Sequence, residues 1–264
     1  MAGFALRVAT FNIRNLRDRY AERWPLLREA FLGLDAGIVG LQEVGIEARP
    51  ADEHDGVHGG SRQDDALMAA APAHRYRSSV APYQQWKGFG LATLQRAGEI
   101  LVHEQLALSH GRVAQRLLIA LPGARTLWFA NTHLHHKPLE PGVREEQAAA
   151  LIAWMASAPA ADAVIFVGDF NASPREAAYR AFWRAGYRSA LWEAHGREPA
   201  VTWPSGIQAP GMDTDGGPAC LDYLWVRGGA RVVTVAIAAD TPAAADPTLY
   251  PSDHFALIAD LDLH

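Results

Sequence analysis

Five strand-like runs follow one another between residues 76 and 133, and this succession restricts the fold more than any other feature of the chain. The runs are rich in β-branched and aromatic residues and are separated by turn signals such as Pro122-Gly123. They cover residues 76–81, 88–94, 99–108, 112–121 and 126–133. A fold built from strand–helix–strand repeats would place a helix after each strand. The pattern therefore predicts largely antiparallel or mixed sheets.

Further strands and helices are predicted on both sides of these runs. The additional strands cover residues 6–11, 38–41, 164–167, 221–226, 232–238 and 256–261. Apolar spacing predicts helices at residues 18–34, 64–71 and 175–184, and another that follows His136. Pro25 suits the first turn of the first helix, and Ser173-Pro174 suit the cap and first turn of the helix near 175–184. The polar segments 45–63 and 196–219 are predicted to be loops, and the chain as a whole is α/β.

Length and composition are those of a globular protein. The 264 residues, 49% hydrophobic, suffice for one large α/β domain or two small ones, and a single domain over residues 1–264 is expected. The single cysteine, Cys220, excludes an internal disulfide and a multi-cysteine zinc site. The sequence contains neither a run long enough to span a membrane nor an N-terminal signal segment, so a cytoplasmic location is expected. The protein is also expected to be a monomer.

The charge balance bears on the class of substrate. A net charge of −5 gives no support to strong non-specific binding of nucleic acid, although a local basic groove stays open.

Polar residues that could carry chemistry follow most of the predicted strands. The clearest case is the run Val164–Val167, which ends at Gly168 and is followed by Asp169 and Asn171. The full set is Asn12, Glu43, His133, Asp169, Asn171, Asp222, Asp253 and His254. Each has an ordinary structural explanation, such as an Asx turn or an exposed loop acid. Together, at the ends of apolar strands, they predict one functional site.

The residue types in this set indicate phosphoester chemistry. Carboxylate and amide oxygens in small number suit Mg²⁺ or Mn²⁺, which keep several waters and are readily shared with a phosphate. Amides and imidazoles can donate hydrogen bonds to an anionic phosphoryl transition state. A histidine beside one aspartate, with a second aspartate able to orient it, supplies a general base near neutral pH.

These residues resemble the motifs of the endonuclease/exonuclease/phosphatase superfamily, in order and over essentially the whole chain. The motifs are T-F-N-I-R (Thr10–Arg14), L-Q-E-V (Leu41–Val44), N-T-H-L (Asn131–Leu134), G-D-F-N (Gly168–Asn171), L-D-Y (Leu221–Tyr223) and S-D-H (Ser252–His254). The resemblance implies a four-layer sandwich of two mixed, mostly antiparallel sheets packed face to face with helices outside.

The resemblance also implies a role for each residue of the set. Glu43 would be the principal metal ligand, with Asn12 and Asp253 nearby. His254 would be the base for the attacking water, oriented by Asp222. Asp169 and Asn171 would position the water and hold phosphoryl oxygens, alongside His133.

Two departures separate the chain from the abasic-site endonucleases of this superfamily. Those enzymes carry an acid at the position of Arg14, whereas F-N-I-R is similar to the pancreatic-type deoxyribonucleases, in which the arginine meets the nucleic-acid backbone. His133 stands where the abasic-site enzymes have a catalytic tyrosine. Both differences argue against abasic-site repair.

Two further residues are candidates for substrate binding. Trp203 matches loosely a substrate-facing aromatic segment of the superfamily, with a buried core tryptophan as the alternative. Arg144, near the first turn of the helix after His136, either reaches the substrate or is a solvated charge.

Three functions are compatible with these residues. The preferred one is hydrolysis of a small-molecule or lipid-type phosphoester, because the two long loops carry an acidic set that would repel a polyanion. That set is Asp52, Glu53, Asp55, Asp213 and Asp215. A nuclease acting on DNA or RNA is the alternative, supported by Arg14. A catalytically silent binding module is disfavoured because Glu43 and His254 are both retained.

Overall fold

The computed structural model describes residues 3–48, 57, 60–210, 212 and 216–264. Within these residues the chain forms twelve strands and five α-helices. The strands are β1 (Phe4–Asn12), β2 (Ile38–Gly45), β3 (Arg77–Pro82), β4 (Phe89–Gln95), β5 (Glu99–Ala107), β6 (Val113–Leu121), β7 (Arg125–His133), β8 (Ala163–Asp169), β9 (Arg188–Ser189), β10 (Asp222–Gly228), β11 (Ala230–Ala238) and β12 (Ala256–Leu263). The helices are α1 (Tyr20–Leu34), α2 (Gln63–Ala70), α3 (Pro141–Ala156), α4 (Ala177–Arg184) and α5 (Ala190–His195).

The strands form two six-stranded sheets, in the orders β11-β12-β1-β2-β4-β3 and β5-β6-β7-β8-β10-β9. Each sheet contains one parallel pair, β1 with β2 and β7 with β8, and the remaining neighbours are antiparallel. The predicted α/β architecture of two mixed, mostly antiparallel sheets is therefore confirmed.

The sheets pack face to face because their strands alternate apolar side chains toward a shared core. On β6, Leu117 and Ile119 point into the core between the sheets, whereas Leu118 packs on the opposite face of its sheet. Leu6, Val8, Ile165 and Val167 join the central core from the neighbouring strands.

Helices cover the outer face of each sheet. Leu27 and Phe31 of α1 pack with Phe11 and Leu41 of the first sheet. On the other side, an aromatic cluster joins α3 and α4 to the second sheet. It includes Trp128, Phe166, Phe170, Phe182, Tyr187 and Trp225. The result is the four-layer order expected for this fold.

Polar contacts join the two sheets where the parallel pairs end. Gln42 Nε2 donates to Asn131 Oδ1 at 2.8 Å, and Asn131 Nδ2 donates to the carbonyl of Leu41 at 3.0 Å. Gly40 permits this approach, since a Cβ atom there would lie 2.4 Å from Val167 Cγ2. The carboxyl ends of β1, β2, β7 and β8 therefore meet at one place.

Two predicted helix starts are wrong. Helix α1 begins at Tyr20, so Pro25 lies inside the helix rather than in its first turn. The carbonyl of Ala21, which loses its usual partner to this proline, is on an exposed residue and can bond to water. Helix α4 begins at Ala177, because residues 173–176 close a turn in which Ser173 N donates to Glu176 Oε1 at 3.1 Å.

The long segments also differ in part from expectation. The short strand β9 and helix α5 precede residues 196–219 and were not predicted. Within that segment Trp203 forms a β-bridge with Ala219. Much of the loop predicted at residues 45–63, and all five acids of the expected acidic rim, lie outside the described residues. No helix in the described part of the chain is long and apolar enough to cross a membrane.

Candidate active site

A buried histidine–aspartate pair lies at the start of β10. His254 Nδ1 is 2.9 Å from Asp222 Oδ2, and Thr202 Oγ1 donates to the same oxygen at 2.6 Å. Thr202 Oγ1 in turn accepts from the backbone N–H of Asp222 at 3.1 Å, which fixes the carboxylate relative to its strand. With Nδ1 engaged by Asp222, the Nε2 atom of His254 is the one that faces the rest of the site.

Asp169 is at the centre of the polar set. Strand pairing places it opposite His133 on β7 and opposite Asp222 on β10. Its Oδ2 lies 3.3 Å from His133 Nε2, 3.5 Å from His254 Nε2 and 3.0 Å from Asn12 Nδ2. These neighbours include Asn12 of the first sheet and His133 of the second, so Asp169 links polar side chains of both sheets.

Asn171 is held by a tight turn after β8. Its backbone N–H donates to Asp169 Oδ1 at 2.8 Å, and its Nδ2 donates to the carbonyl of Leu134 at 3.1 Å. Its φ of 48° is in the left-handed region, which asparagine tolerates better than most residues. Gly168 precedes it at φ 146°, where a Cβ atom would lie 2.0 Å from the carbonyl oxygen of Thr132.

Burial and neighbouring charges shift the pKa values of this group strongly. Burial acts to lower the pKa of His254, but the carboxylates of Asp222, Asp169 and Asp253 outweigh it and raise the value to about 10. Burial raises the pKa of Asp169 to about 7, even though His254 acts in the opposite direction. The carboxylates of Asp169, Asp222 and Asp253 are therefore so close together that their mutual repulsion and burial disfavour full ionisation of Asp169.

Glu43 projects from a β-bulge in β2. The register with β4 shifts between Leu41 and Val44, and Glu43 has a φ of 55°. Its carboxylate accepts from Asn12 Nδ2 at 3.3 Å and from Asn15 Nδ2 at 2.7 Å. A non-glycine residue in this strained conformation is typical of a functional position.

Asp253 is buried between cationic and aromatic neighbours. Its Oδ2 is 3.3 Å from Arg14 Nη1 and accepts from Trp203 Nε1 at 3.2 Å. Burial acts to raise its pKa, but His254 and the two arginines Arg14 and Arg23 keep the pKa below its usual value. Arg14 also pairs with Asp18 at 2.6 Å, so this arginine is shared between the site and the loop after β1.

The donor set fits a hard divalent cation. The carboxylates of Glu43, Asp169, Asp222 and Asp253 all line or underlie the site, and Asp222 Oδ1 is buried without a hydrogen-bond partner among the described residues. Oxygen donors and excess negative charge are what Mg²⁺ and Mn²⁺ select. Asn12 presents its Nδ2 to two carboxylates, while its Oδ1 accepts from Arg14 N at 3.1 Å. In this geometry the Asn12 amide lies between the carboxylates of Glu43 and Asp169 and donates to both. Ligation of a metal ion through Asn12 Oδ1 stays a prediction.

His133 has a partner that sequence reasoning missed. Tyr83 Oη lies 2.8 Å from His133 Nδ1 and accepts from the backbone N–H of Glu43 at 3.2 Å. Asp169 Oδ2, 3.3 Å from His133 Nε2, favours the tautomer that carries its proton on Nε2, and Tyr83 then donates to Nδ1. In this arrangement the Nε2 proton of His133 faces Asp169. Burial lowers the pKa of His133 well below its usual value, so the ring is neutral.

The site is the floor of a cavity of about 660 Å³. Aromatic side chains form much of its wall, namely Tyr83, Trp86, Phe89 and Trp203. Cationic side chains accompany them, namely Arg14, Arg17, Lys87, Arg112 and Arg144. Arg112 lies over the ring of Trp86 at 4.6 Å. Trp203 is therefore a cavity residue rather than a core tryptophan.

One signal in the sequence could have located part of this wall. Residues 83–88 are a short connection between β3 and β4, yet they contain two aromatic residues, Tyr83 and Trp86. A turn of this length does not itself require large aromatic side chains, which favours a binding role for them.

Arg144 reaches the cavity wall, but protein groups occupy its guanidinium. It is 1% exposed, pairs with Glu176 at 2.7 Å and donates to the carbonyl of Lys137 at 2.6 Å. The expectation of a solvated charge is therefore wrong. Arg144 holds the segment after β7 in place, and direct contact with substrate stays a prediction.

The histidines at 133, 135 and 136 do not follow strand alternation. Alternation along a strand would place His133 and His135 together, but β7 ends at His133. As a result His133 and His136 line the cavity, whereas His135 turns away to bond Glu140 at 2.9 Å.

Comparison with known proteins agrees with this geometry. The sequence pattern of the Endonuclease/Exonuclease/phosphatase family matches residues 9–254. Among curated proteins, no sequence matches the chain significantly.

Solved structures with the same fold are similar over nearly the whole chain. An endonuclease/exonuclease/phosphatase family protein from Bacteroides thetaiotaomicron has a TM-score of 0.77 and 19% identity, with 100% of both chains covered. D. rerio TDP2, solved with a single strand DNA product, has a TM-score of 0.75 and 17% identity over 97% of this chain and 98% of that one. The human Nocturnin catalytic domain, solved with bound sulfate, has a TM-score of 0.75 and 20% identity over 98% and 94%. At these identities the likeness shows a shared fold.

Proposed function

The chain belongs to the endonuclease/exonuclease/phosphatase family of phosphoester hydrolases, and from that premise we propose that it cleaves a small-molecule or lipid-type phosphoester by in-line attack of a water molecule deprotonated by His254. The observation that carries the proposal is the His254–Asp222 pair, 2.9 Å apart, on the floor of a cavity of about 660 Å³. A cavity of this volume is within the usual range for sites that enclose a small molecule.

His254 acts through Nε2. Asp222 accepts a hydrogen bond from Nδ1–H, so in the neutral ring Nε2 is the atom that takes a proton from the attacking water, and the carboxylate then stabilises the imidazolium that forms. Asp169 Oδ2, 3.5 Å from His254 Nε2, positions the same water.

Neutral donors stabilise the phosphoryl group. His133 offers its Nε2 proton, and Asn171 has a second Nδ2 hydrogen beyond the one given to Leu134. Mg²⁺ or Mn²⁺ held by Glu43 and Asp253 would polarise a phosphoryl oxygen and offset its developing charge.

The cavity wall supports a compact substrate with an apolar part. Trp86, Phe89 and Trp203 present aromatic surface beside the polar floor. An organic group attached to the phosphate could pack on these rings while the phosphoryl group meets His133 and Asn171.

A nuclease is the second candidate. Arg14, Arg17 and Lys87 line the same cavity, and cations combined with aromatic rings are typical of sites for single-stranded nucleic acid. D. rerio TDP2, which has a similar fold, was solved with a single strand DNA product.

A substrate panel at low ionic strength with Mg²⁺ tests the two candidates. It would contain bis-p-nitrophenyl phosphate, p-nitrophenyl phosphate, p-nitrophenylphosphorylcholine and single- and double-stranded oligonucleotides. Turnover of the small esters that exceeds turnover of the oligonucleotides, and that is lost in His254→Ala, is the expected result. Efficient cleavage of oligonucleotides that falls steeply with salt, with poor turnover of the esters, would make the nuclease primary.

A pair of tryptophan variants tests the cavity wall. Trp86→Ala should raise KM for the p-nitrophenyl esters about ten-fold, or ~1.4 kcal/mol, because a stacking surface is lost. Trp192→Ala is the matched control, since Trp192 is 47% exposed and is not part of the cavity wall. Equal KM values in both variants would remove the aromatic wall from the proposal.

A further inference from the structure

A second cluster of metal-ligating side chains lies outside the catalytic set. One ligand atom each from His110, His135 and Glu140 can be chosen so that all lie within 4.8 Å of one another. His135 Nε2 is 2.9 Å from Glu140 Oε2, and the rings of His110 and His135 are 4.6 Å apart between centroids. Two imidazoles and a carboxylate would therefore need only small movements to share one ion.

The three side chains come from separate segments that are fastened together. His110 belongs to the short 3-10 turn Ser109–Gly111 before β6, His135 follows β7, and Glu140 is the N-cap residue of α3. Gln147 of α3 joins two of these segments. Its Nε2 donates to the carbonyl of Ser109 at 2.8 Å, and its Oε1 accepts from the backbone N–H of His135 at 2.8 Å.

One feature of His135 lacks an ordinary structural purpose. His135 is 5% exposed, and its Nδ1 has no hydrogen-bond partner among the described residues. His110 is exposed, and its φ of 58° is in the left-handed region, where histidine is enriched. By contrast, both ring nitrogens of His133 and of His254 contact protein groups.

We propose that His110, His135 and Glu140 form a second metal site, which binds a divalent ion of the zinc class with water completing the coordination. Two imidazoles and one carboxylate suit zinc, whereas magnesium selects sites made almost wholly of oxygen. The two centres of the chain would then differ in chemical selectivity.

Occupation of this site would brace one wall of the catalytic cavity. Residues 135–140 connect two of the ligands, and His136 and Pro138 within that segment line the cavity. An ion that binds the folded chain more tightly than the unfolded chain also raises the free energy of unfolding by mass action.

Calorimetric titration of Zn²⁺ into the full chain, in excess Mg²⁺, tests the proposal. Wild type should bind one Zn²⁺ that His110→Asn weakens at least ten-fold, since asparagine accepts the left-handed backbone but is a poor zinc ligand. Glu140→Gln, at an exposed residue, should weaken it in the same direction. Both variants change surface residues, so loss of the fold would not confuse the result.

Two control variants separate this site from other binding. His264→Ala removes an exposed histidine elsewhere and should leave the Zn²⁺ affinity unchanged. His254→Ala tests the catalytic centre and should also leave one Zn²⁺ bound. If His254→Ala abolishes zinc binding while His110→Asn retains wild-type affinity, the ion belongs to the catalytic centre and the proposal is overturned. Absence of any Zn²⁺ binding by the wild type would overturn it equally.

Discussion

Removing the Tyr83 hydroxyl should impair turnover without removing the site. Tyr83 Oη accepts a hydrogen bond at 3.2 Å from the backbone N–H of Glu43, the candidate metal ligand. The same oxygen lies 2.8 Å from His133 Nδ1. Tyr83→Phe keeps the ring, which lies 5.9 Å from Trp86 between centroids. The variant therefore changes hydrogen bonding while the wall of the cavity is preserved.

The size of the effect follows from the two contacts that are lost. A buried group left without its partner costs about 1–3 kcal/mol, so stability should fall by a few kcal/mol at most. For catalysis, release of His133 Nδ1 allows the imidazole proton to leave Nε2, where the phosphoryl group needs it. A loss of about 1.4 kcal/mol in transition-state stabilisation corresponds to a kcat about ten-fold lower. KM should change little, because the cavity keeps its shape.

The assay is steady-state hydrolysis of whichever p-nitrophenyl ester the wild type turns over best. Tyr187→Phe is the matched control, because Tyr187 is fully buried and its hydroxyl has no partner among the described residues. Tyr83→Phe made in a His133→Ala background should cost little further, since the two residues act in series. A kcat within two-fold of wild type, or an equal loss in Tyr187→Phe, would refute the argument.

Three further outcomes are expected. Glu43→Gln should weaken Mg²⁺ binding at least ten-fold in calorimetry while the circular dichroism spectrum is unchanged, and equal affinity would contradict its role as principal ligand. Carboxylates raise the pKa of His254 to about 10, so the imidazolium is favoured at neutral pH and kcat should rise with pH. Asp222→Asn should lower that pKa and move the rising limb to lower pH, and an unmoved limb would exclude Asp222 as its cause. Phe182→Ala should lower the free energy of unfolding by about 3–5 kcal/mol, because its fully buried ring packs on Phe166 and Trp225. Urea denaturation measures this loss, and a value below about 1 kcal/mol would show that the cluster repacks.

The sequence by itself determined the sheets and the polar set, because both depend on local order along the chain. Alternation and turn residues marked eleven of the twelve strands in the described part of the chain, and the missed one, β9, has only two residues. Asp169 and His133 were predictable for a related reason. Each ends a strand of a parallel pair, and the ends of parallel strands meet whatever the details of packing.

The tertiary structure decided which of these residues touch, and through which atoms. Tyr83 lies on the connection between β3 and β4, yet its hydroxyl bonds His133 of the other sheet, and nothing local to residue 83 specifies that contact. His135 leaves the cavity because β7 ends two residues earlier and Gln147 of α3 captures its backbone. Likewise, the pKa values of His254 and Asp169 arise from burial and from charges on distant segments. Sequence periodicity reports which face a residue occupies, whereas hydrogen bonds and charge interactions depend on distances of a few ångströms that only the packing of both sheets establishes.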